Sequence, residues 1–299
     1  MIHIIKKTGI YLLTLLFTVV SWSCTEDEIN ENSSIFKDSD PALQTDFDKW
    51  LLTNFTYPYN IVFKYKMKDI EAGTTYELVP ATVEKSIAFA KLIKHLWIEV
   101  YDDVAGSDFT RTYIPRVIHL IGSGAYNTNN TVLLGTAEGG MKITLYRIND
   151  LDPQTVTIDF LTDRYLKTMF HESAHILHQT KNYSEEFAKI TNSDYVSDDW
   201  NSSSNTLEAA YQRGFVSRYA RKEANEDFVE ILSIFVVRGQ NNWASILQQA
   251  GEDGADKINQ KFEIVQNYLK TSWNIDIYEL RRIFESRAKT MHLLDLTHF

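Results

Sequence analysis

The sequence predicts an α+β fold, with a mixed sheet and helices in the first half and a mostly helical second half. Between residues 61 and 146, short apolar runs end at Gly-rich segments, a pattern typical of strands and turns. From residue 161 onward, apolar side chains recur at helical spacing. Hydrophobic residues make up 44% of the 299 residues and aromatic residues 13%, so the chain can bury a substantial core.

The first half contains three to five predicted strands between helical segments. Helices are predicted at residues 46–55 and 83–101, and strands at 61–67, 116–121, 131–134 and 141–146. In the first strand apolar and charged residues alternate, which indicates one buried face. The last two strands flank a Gly-rich segment, so we expect them to pair as a hairpin.

The second half is predicted to be helical apart from one long loop. The predicted helices are 161–179, 207–219, 226–237, 243–249, 255–269 and 277–289. Residues 192–205 are rich in Asp, Ser and Asn and are predicted to form a loop. We expect residues 41–299 to be a single domain, with an α/β part up to residue 160 and a helical part from residue 161.

Residues 1–23 are typical of a signal peptide. Lys6 and Lys7 precede a short apolar run, and Cys24, the sole cysteine, follows directly. This block resembles a bacterial lipoprotein signal, with Cys24 as the lipidation site. The alternative is an ordinary cleaved leader with an incidental cysteine. Residues 24–40 are acidic and polar and are predicted to be a flexible tether. This acidic run resembles the surface-export signal of Bacteroidetes lipoproteins, and a plain acidic linker is the alternative.

The charge balance excludes one class of partner. The formal net charge is −10, whereas a nucleic-acid interface requires a basic face. We therefore expect no nucleic-acid partner, and membrane contact only through the lipid anchor.

Residues 171–175 read His-Glu-Ser-Ala-His, the HExxH pattern. Residues four apart lie on one helical face, so His171 and His175 can bind the same metal ion. Glu172 lies beside that face, where its carboxylate can take a proton from a water on the metal. Zinc suits this chemistry because it accepts imidazole and carboxylate ligands and leaves a position open. The alternative is a pair of solvated histidines, which the apolar neighbours disfavour.

The nearby His178 is not expected to be the third ligand. It lies seven residues from His171, about 10 Å along a helix axis, whereas zinc–nitrogen bonds are about 2 Å long. We predict that His178 supports the site from behind the ligands. The metzincin pattern has a Gly at the position of His178 and a third His at the position of Lys181, so that arrangement is excluded.

A carboxylate from a later helix is the better candidate for the third ligand. Asn225 is predicted to be the N-cap of that helix. Glu226 is favoured as the ligand over Asp227, Glu230 and Glu223. Glu226 and Glu230 share a helical face, so one can bind metal while the other orients a ligating histidine. The alternative is that these acids only interact with the helix dipole.

The segment from Tyr219 to Glu230 reads Tyr-Ala-Arg-Lys-Glu-Ala-Asn-Glu-Asp-Phe-Val-Glu. It resembles the corresponding segment of anthrax-lethal-factor-like gluzincin peptidases, in which a Tyr precedes the ligand Glu by seven residues and a second Glu follows by four. With the leader and the HExxH helix, the chain resembles a Bacteroidetes lipoprotein family of substrate-import-associated zinc metallohydrolases, also described as zinc-binding metallopeptidases. The matching motifs cover residues 169–235. The resemblance implies a zincin-like fold with one zinc ion.

The resemblance also implies roles and partners. Tyr219 would place its phenol over the open side of the zinc and stabilise an oxyanion, unless it is a core tyrosine near Phe215. The implied activity is that of a zinc metallopeptidase acting on peptides or glycoproteins. The implied location is the outer membrane, on its periplasmic or cell-surface face, with importer components as partners.

Two further hypotheses concern substrate binding. The strand at 141–146 is predicted to be a sheet edge to which an extended peptide adds. The alternative function is a lipoprotein that captures glycans or peptides without cleaving them, in which Trp243 and Trp273 would form a sugar platform. A core position for these two tryptophans is the favoured interpretation.

Overall fold

The computed structural model describes residues 44–67, 77–126, 132–133, 135–138 and 141–298. The predicted signal peptide, the lipidation site Cys24 and the predicted tether lie outside the described residues. Asp46–Phe299 form one compact unit.

The first half contains short helices and short strands. In chain order they are α1 (Asp46–Leu51), β1 (Val62–Lys64), α2 (Val83–Ile93), α3 (Glu99–Ala105), α4 (Ser107–Tyr113), β2 (Val117–Leu120), β3 (Ala125–Tyr126), β4 (Val132–Leu133), β5 (Gly135–Glu138) and β6 (Lys142–Leu145). The π-helical turn Lys94–Ile98 joins α2 to α3, which confirms the long helix predicted there. A second π-helical turn, Leu52–Thr56, extends α1.

The main sheet has the strand order β1-β2-β6-β5. Strands β1, β2 and β6 are parallel, with Val117 of β2 opposite Lys142 of β6, and β5 is antiparallel to β6. The predicted hairpin of 131–134 with 141–146 is wrong, because β4 pairs with β3 in a separate two-stranded sheet. The Gly-rich segment predicted as the turn contains β5. Gly-rich sequence permits a turn but does not require one, and here β6 offers a partner.

The prediction that 141–146 is an edge strand is also wrong. Strand β6 lies between β2 and β5, so its backbone is paired on both sides. The place of a strand within a sheet is decided by pairing with distant residues, which the local sequence does not record.

The second half is helical. Its helices are α5 (Ile158–Leu161), α6 (Lys167–Thr180), α7 (Glu186–Ile190), α8 (Leu207–Gln212), α9 (Ala224–Val237), α10 (Gly239–Trp273) and α11 (Ile277–Thr290). The π-helical turn Thr162–Leu166 connects α5 to α6 without a break. The helices predicted at 161–179, 226–237 and 277–289 are confirmed.

Two details of this half differ from the prediction, and a third agrees with it. Helix α8 ends at Gln212 instead of residue 219, because Gly214 adopts a φ of +91° that a helix does not allow. The two helices predicted at 243–249 and 255–269 are confirmed within α10, because Gly251 interrupts that element between them with a non-helical φ of +69°. The predicted loop at 192–205 contains two 3₁₀ turns, Asn192–Asp194 and Ser197–Asn201.

Helix α9 is the centre of the helical half, because every residue from Glu226 to Val237 is buried. It contacts α6, α10 and α11. Phe228 on α9 stacks on Tyr183 at 4.1 Å between ring centroids and meets Phe187 and Tyr268 edge-on. A charged residue on such a helix is therefore surrounded by packed side chains and requires a partner.

Trp243 and Trp273 belong to this core. Each is only 8% exposed. Trp243 packs against Phe235 and Trp273 against Tyr113, with ring centroids 5.1 and 4.7 Å apart. The core interpretation is confirmed, and these two side chains do not form a sugar platform. Among the described residues, no helix combines the length and apolar character needed to cross a bilayer.

Candidate metal centre

Helix α6 presents its two histidines to α9 and its other side to the core. His171 contacts Glu230 and His175 contacts Glu226, so α6 and α9 run antiparallel. On another side of α6, Ser173 accepts a hydrogen bond from the indole of Trp97 at 3.2 Å. Core packing thus sets the rotation of α6 about its axis. The four-residue spacing then places both histidines on the side that faces α9.

Three side chains converge between these helices. His171 Nε2 lies 3.1 Å from Glu226 Oε2, and His175 Nε2 lies 3.3 Å from the same oxygen. The two Nε2 atoms are 3.2 Å apart. A zinc ion with bonds of about 2 Å and tetrahedral angles separates its ligand atoms by roughly 3.3 Å. The donor set and its spacing therefore fit one zinc ion, as the sequence predicted for His171, His175 and Glu226.

Glu230 holds His171 from behind. Its Oε1 lies 2.8 Å from His171 Nδ1 and 2.8 Å from Lys167 Nζ, and its Oε2 accepts from Ser217 Oγ at 2.6 Å. Burial raises the pKa of this carboxyl, but Lys167 and His171 outweigh burial and lower the pKa to about 2. The ionised Glu230 accepts the Nδ1 proton, so Nε2 is the nitrogen that His171 can offer to a metal ion in exchange for its proton.

His178 holds His175 in the same way, with a different chemical group. His178 Nε2 lies 2.8 Å from His175 Nδ1. Burial and the neighbouring His175 lower the pKa of His178 to about 4, so it is neutral at pH 7. If His175 directs its Nε2 lone pair to a metal, its Nδ1 carries a proton, which His178 accepts. The structure places His178 where the sequence predicted it, behind a ligand.

The second oxygen of Glu226 faces a different set of partners. Oε1 accepts hydrogen bonds from Tyr219 at 2.8 Å and from Lys222 at 3.0 Å. Burial and the charge of Glu226 raise the pKa of the Tyr219 phenol, so it keeps its proton. The phenol is therefore at the centre, and the alternative of a core tyrosine beside Phe215 does not describe its contacts. The edge of Trp200 packs on the Tyr219 ring, with centroids 4.9 Å apart.

Glu172 is the remaining acid at the centre. Burial raises the pKa of its carboxyl. In the part of the chain that the structure describes, no hydrogen bond or ion pair involves this carboxylate. It is therefore available to a water or a substrate, in contrast to Glu226 and Glu230.

Two alternative ligand candidates, Asp227 and Glu223, are not part of the converging group. Asp227 is fully buried and pairs with Lys261 Nζ at 2.6 Å, and it accepts a hydrogen bond from Tyr195 at 3.0 Å. Glu223 is the residue before α9, with an extended backbone. The prediction that Asn225 is the N-cap is wrong, because the helix starts at Ala224. The Asn225 amide oxygen instead accepts a hydrogen bond from Tyr183 at 2.8 Å.

Three residues that contact the ligands or their partners were not predicted from the sequence: Lys167, Ser217 and Lys222. Lys167 had a readable signal, since it lies four residues before His171 on the same helical face. Lys222 lies four residues before Glu226 but outside α9, so helical spacing did not apply. Ser217 lies in an irregular segment after α8, and nothing in the sequence indicated its contact.

The electrostatic balance of the centre favours a cation. Burial lowers the pKa of His171, but its hydrogen bonds with Glu226 and Glu230 raise it to about 9. The carboxylates that strengthen the binding of a proton also strengthen the binding of a metal ion.

An HExxH helix and an antiparallel helix that contributes a glutamate, beside a small mixed sheet, define a zincin-like protein with a candidate divalent-metal centre. The chain belongs to the family described as "Putative zinc-binding metallo-peptidase", whose model matches residues 40–278.

The chain is similar to a solved protein of the same description from Bacteroides caccae. That crystal structure superposes with a TM-score of 0.76 and is 41% identical in sequence. The match covers 87% of this chain and 98% of the other. The comparison with curated proteins returns no match.

Proposed function

We propose that this protein is a zinc metallopeptidase that hydrolyses peptide bonds with water. The observation that carries the proposal is the convergence of His171, His175 and Glu226 beside the unpaired carboxylate of Glu172. Family membership supports the same chemistry. When bound, zinc would supply Lewis acidity to the attacking water and to the scissile carbonyl.

Glu172 is the proposed general base. It accepts a proton from the attacking water and later delivers it to the leaving amine. A carboxylate with a raised pKa is suited to both steps, because it takes up the proton more readily than an exposed acid. Tyr219 is the proposed oxyanion donor, since its phenol is protonated and adjoins Glu226.

We propose that an extended peptide binds along β5. This strand is at the end of the described sheet order and is paired only with β6. A peptide that adds to a free strand edge gains main-chain hydrogen bonds while its side chains alternate between the two faces. Strand β6 leads through α5 directly into the helix that bears His171, so the edge and the centre are close in the chain.

The proposed activity is tested by cleavage profiling on a mixed peptide library. The wild-type protein with zinc should cleave, and Glu172→Gln should retain zinc while losing at least about a hundredfold in rate. Glu263→Gln, which alters an exposed glutamate of α10, is the matched control and should cleave like wild type. Full activity in Glu172→Gln would contradict the mechanism. Unchanged ligand capture without zinc and without turnover would favour the capturing lipoprotein.

We also propose that the mature protein is anchored by a lipid on Cys24 to the outer membrane, near importer components that receive the products. The support is the Lys6-Lys7 leader that ends directly at this cysteine. Detergent phase partitioning of native and Cys24→Ser proteins tests the anchor. The native protein should enter the detergent phase, and the variant should remain in the aqueous phase.

A further inference from the structure

The two oxygens of Glu226 have separate tasks. Oε2 is the oxygen that lies within 3.3 Å of both histidine Nε2 atoms, whereas Oε1 accepts two hydrogen bonds, from Tyr219 and Lys222. Two donors on Oε1 direct that oxygen away from the shared position of the ligands. The centre therefore receives one oxygen from Glu226 and not two.

Lys222 is held in place by its backbone. Its amide donates to the carbonyl of Tyr219 at 2.9 Å, and its own carbonyl accepts from the amide of Ser197 at 3.1 Å. The side chain is 31% exposed, and its ammonium also lies 5.5 Å from the centroid of the Tyr219 ring. The backbone of Lys222 is thus held at two points, and its ammonium shares Oε1 with the phenol.

Tyr219 cannot serve Glu226 and a substrate oxyanion with the same proton. A phenol has one O–H, so it must leave Oε1 when it donates elsewhere. A buried carboxylate oxygen that loses its donors is destabilised. Because Lys222 remains on Oε1, the departure of the phenol does not leave that oxygen unpaired.

We propose that Lys222 is a positioning residue that keeps Glu226 a one-oxygen ligand and releases Tyr219 to the substrate. The first task concerns the metal centre alone, and the second rests on the proposed peptidase function. Without Lys222, Oε1 either retains the phenol or turns toward the metal as a second ligand oxygen.

Cobalt(II) loaded in place of zinc tests the first task without any substrate. Four-coordinate cobalt absorbs visible light more strongly than five-coordinate cobalt, so the spectrum reports the ligand number. In the Tyr219→Phe background, Lys222→Met should weaken the visible absorption because Oε1 then has neither donor, while Lys222→Arg in the same background, which keeps a cationic donor, should retain it. Tyr219→Phe should also retain it, because Lys222 still holds Oε1. An unchanged spectrum in the double variant Tyr219→Phe, Lys222→Met would overturn the first task.

A double-mutant cycle on cleavage rate tests the second task. Lys222→Met should lower kcat about tenfold with little change in KM. In the Tyr219→Phe background the same change should lower kcat by clearly less than tenfold, because no phenol remains to be released and only the effect on the ligand number is left. Losses that multiply would show that the two residues act independently and would overturn the second task.

Lys189→Met is the matched control for both experiments, because Lys189 is a 64% exposed lysine on α7 that pairs with Glu186. It should leave the spectrum and the kcat unchanged. If no peptide is cleaved by any variant, the proposed function fails, and the cobalt spectrum still decides the ligand number.

Discussion

The two histidines of the centre are held by partners of opposite character. On the inner side, formed by His171, Glu230, Lys167 and Ser217, the partner is an ionised and completely buried carboxylate. On the outer side, formed by His175 and His178, the partner is a neutral imidazole at the end of α6.

A histidine of the centre can therefore be oriented by a neutral partner as well as by a charged one. A buried carboxylate orients its histidine strongly. If a partner in its network is removed, however, a buried charge is left uncompensated and the fold is destabilised. A neutral partner fixes its histidine without that cost. We therefore expect changes on the inner side to affect folding and changes on the outer side to affect mainly the metal.

The largest effect should come from Glu230→Leu on the inner side. Removing one member of a buried charged network leaves Lys167 and His171 without their acceptor, which costs about 3–5 kcal/mol of unfolding free energy. Urea unfolding of the metal-free protein measures it. Glu263→Leu, at an exposed position, should change the unfolding free energy little. A loss below about 1 kcal/mol in Glu230→Leu would show that the inner network is not needed for folding.

Zinc would bind His171 of the inner side and His175 of the outer side, so its effect on the unfolding free energy depends on both sides. At a free zinc concentration one hundred times the Kd, the native state should gain about 2.7 kcal/mol. Thermal or urea unfolding with and without a chelator measures this gain. Magnesium, which prefers oxygen ligands, is the control and should give no gain. An equal gain in Glu226→Ala would show that zinc binds elsewhere.

On the outer side, His178→Leu should weaken zinc binding about tenfold, because His175 loses the acceptor that sets its orientation. Its unfolding free energy without metal should change little, since Tyr183 and Phe228 already surround this position with aromatic rings. Competition with a chromogenic chelator measures the Kd. Gln179→Leu, at the next and exposed residue, is the control. A large loss of stability in His178→Leu would remove the distinction between the two sides.

The smallest effect should come from Lys167→Met. This lysine is partly exposed, so water compensates for part of its loss, and Glu230 keeps His171 and Ser217 as partners. We expect a loss of about 1 kcal/mol in urea unfolding. A loss as large as that of Glu230→Leu would mean that the lysine, and not the carboxylate, supports the inner side.

The sequence predicted the centre better than it predicted the sheet. His171 and His175 follow from spacing on one helix, and that helix is also marked by its apolar periodicity. Glu226 and Glu230 could be singled out among several acids because one helical turn separates them, and the resemblance to the lethal-factor segment favoured Glu226 as the ligand. These inferences depend on local geometry, which short sequence patterns encode.

The features that sequence analysis missed depend on contacts between distant residues. The pairing of β5 with β6 and the internal place of β6 are set by partners elsewhere in the chain. Lys222 reaches Glu226 from an irregular segment whose path depends on Ser197. Asn225 is a residue type that is frequent at N-caps, yet its side chain accepts a hydrogen bond from Tyr183 instead.

Adjacent residues of α9 are held by partners on two different sides of the helix, about 100° apart around its axis. Glu226 faces the histidines of α6, while Asp227 is joined to Lys261 of α10 by a fully buried ion pair. Turning α9 about its axis to withdraw one carboxylate would pull the other from its ammonium. The two contacts therefore oppose rotation of α9 about its axis. Glu226 keeps its position beside His171 and His175 with or without a bound cation.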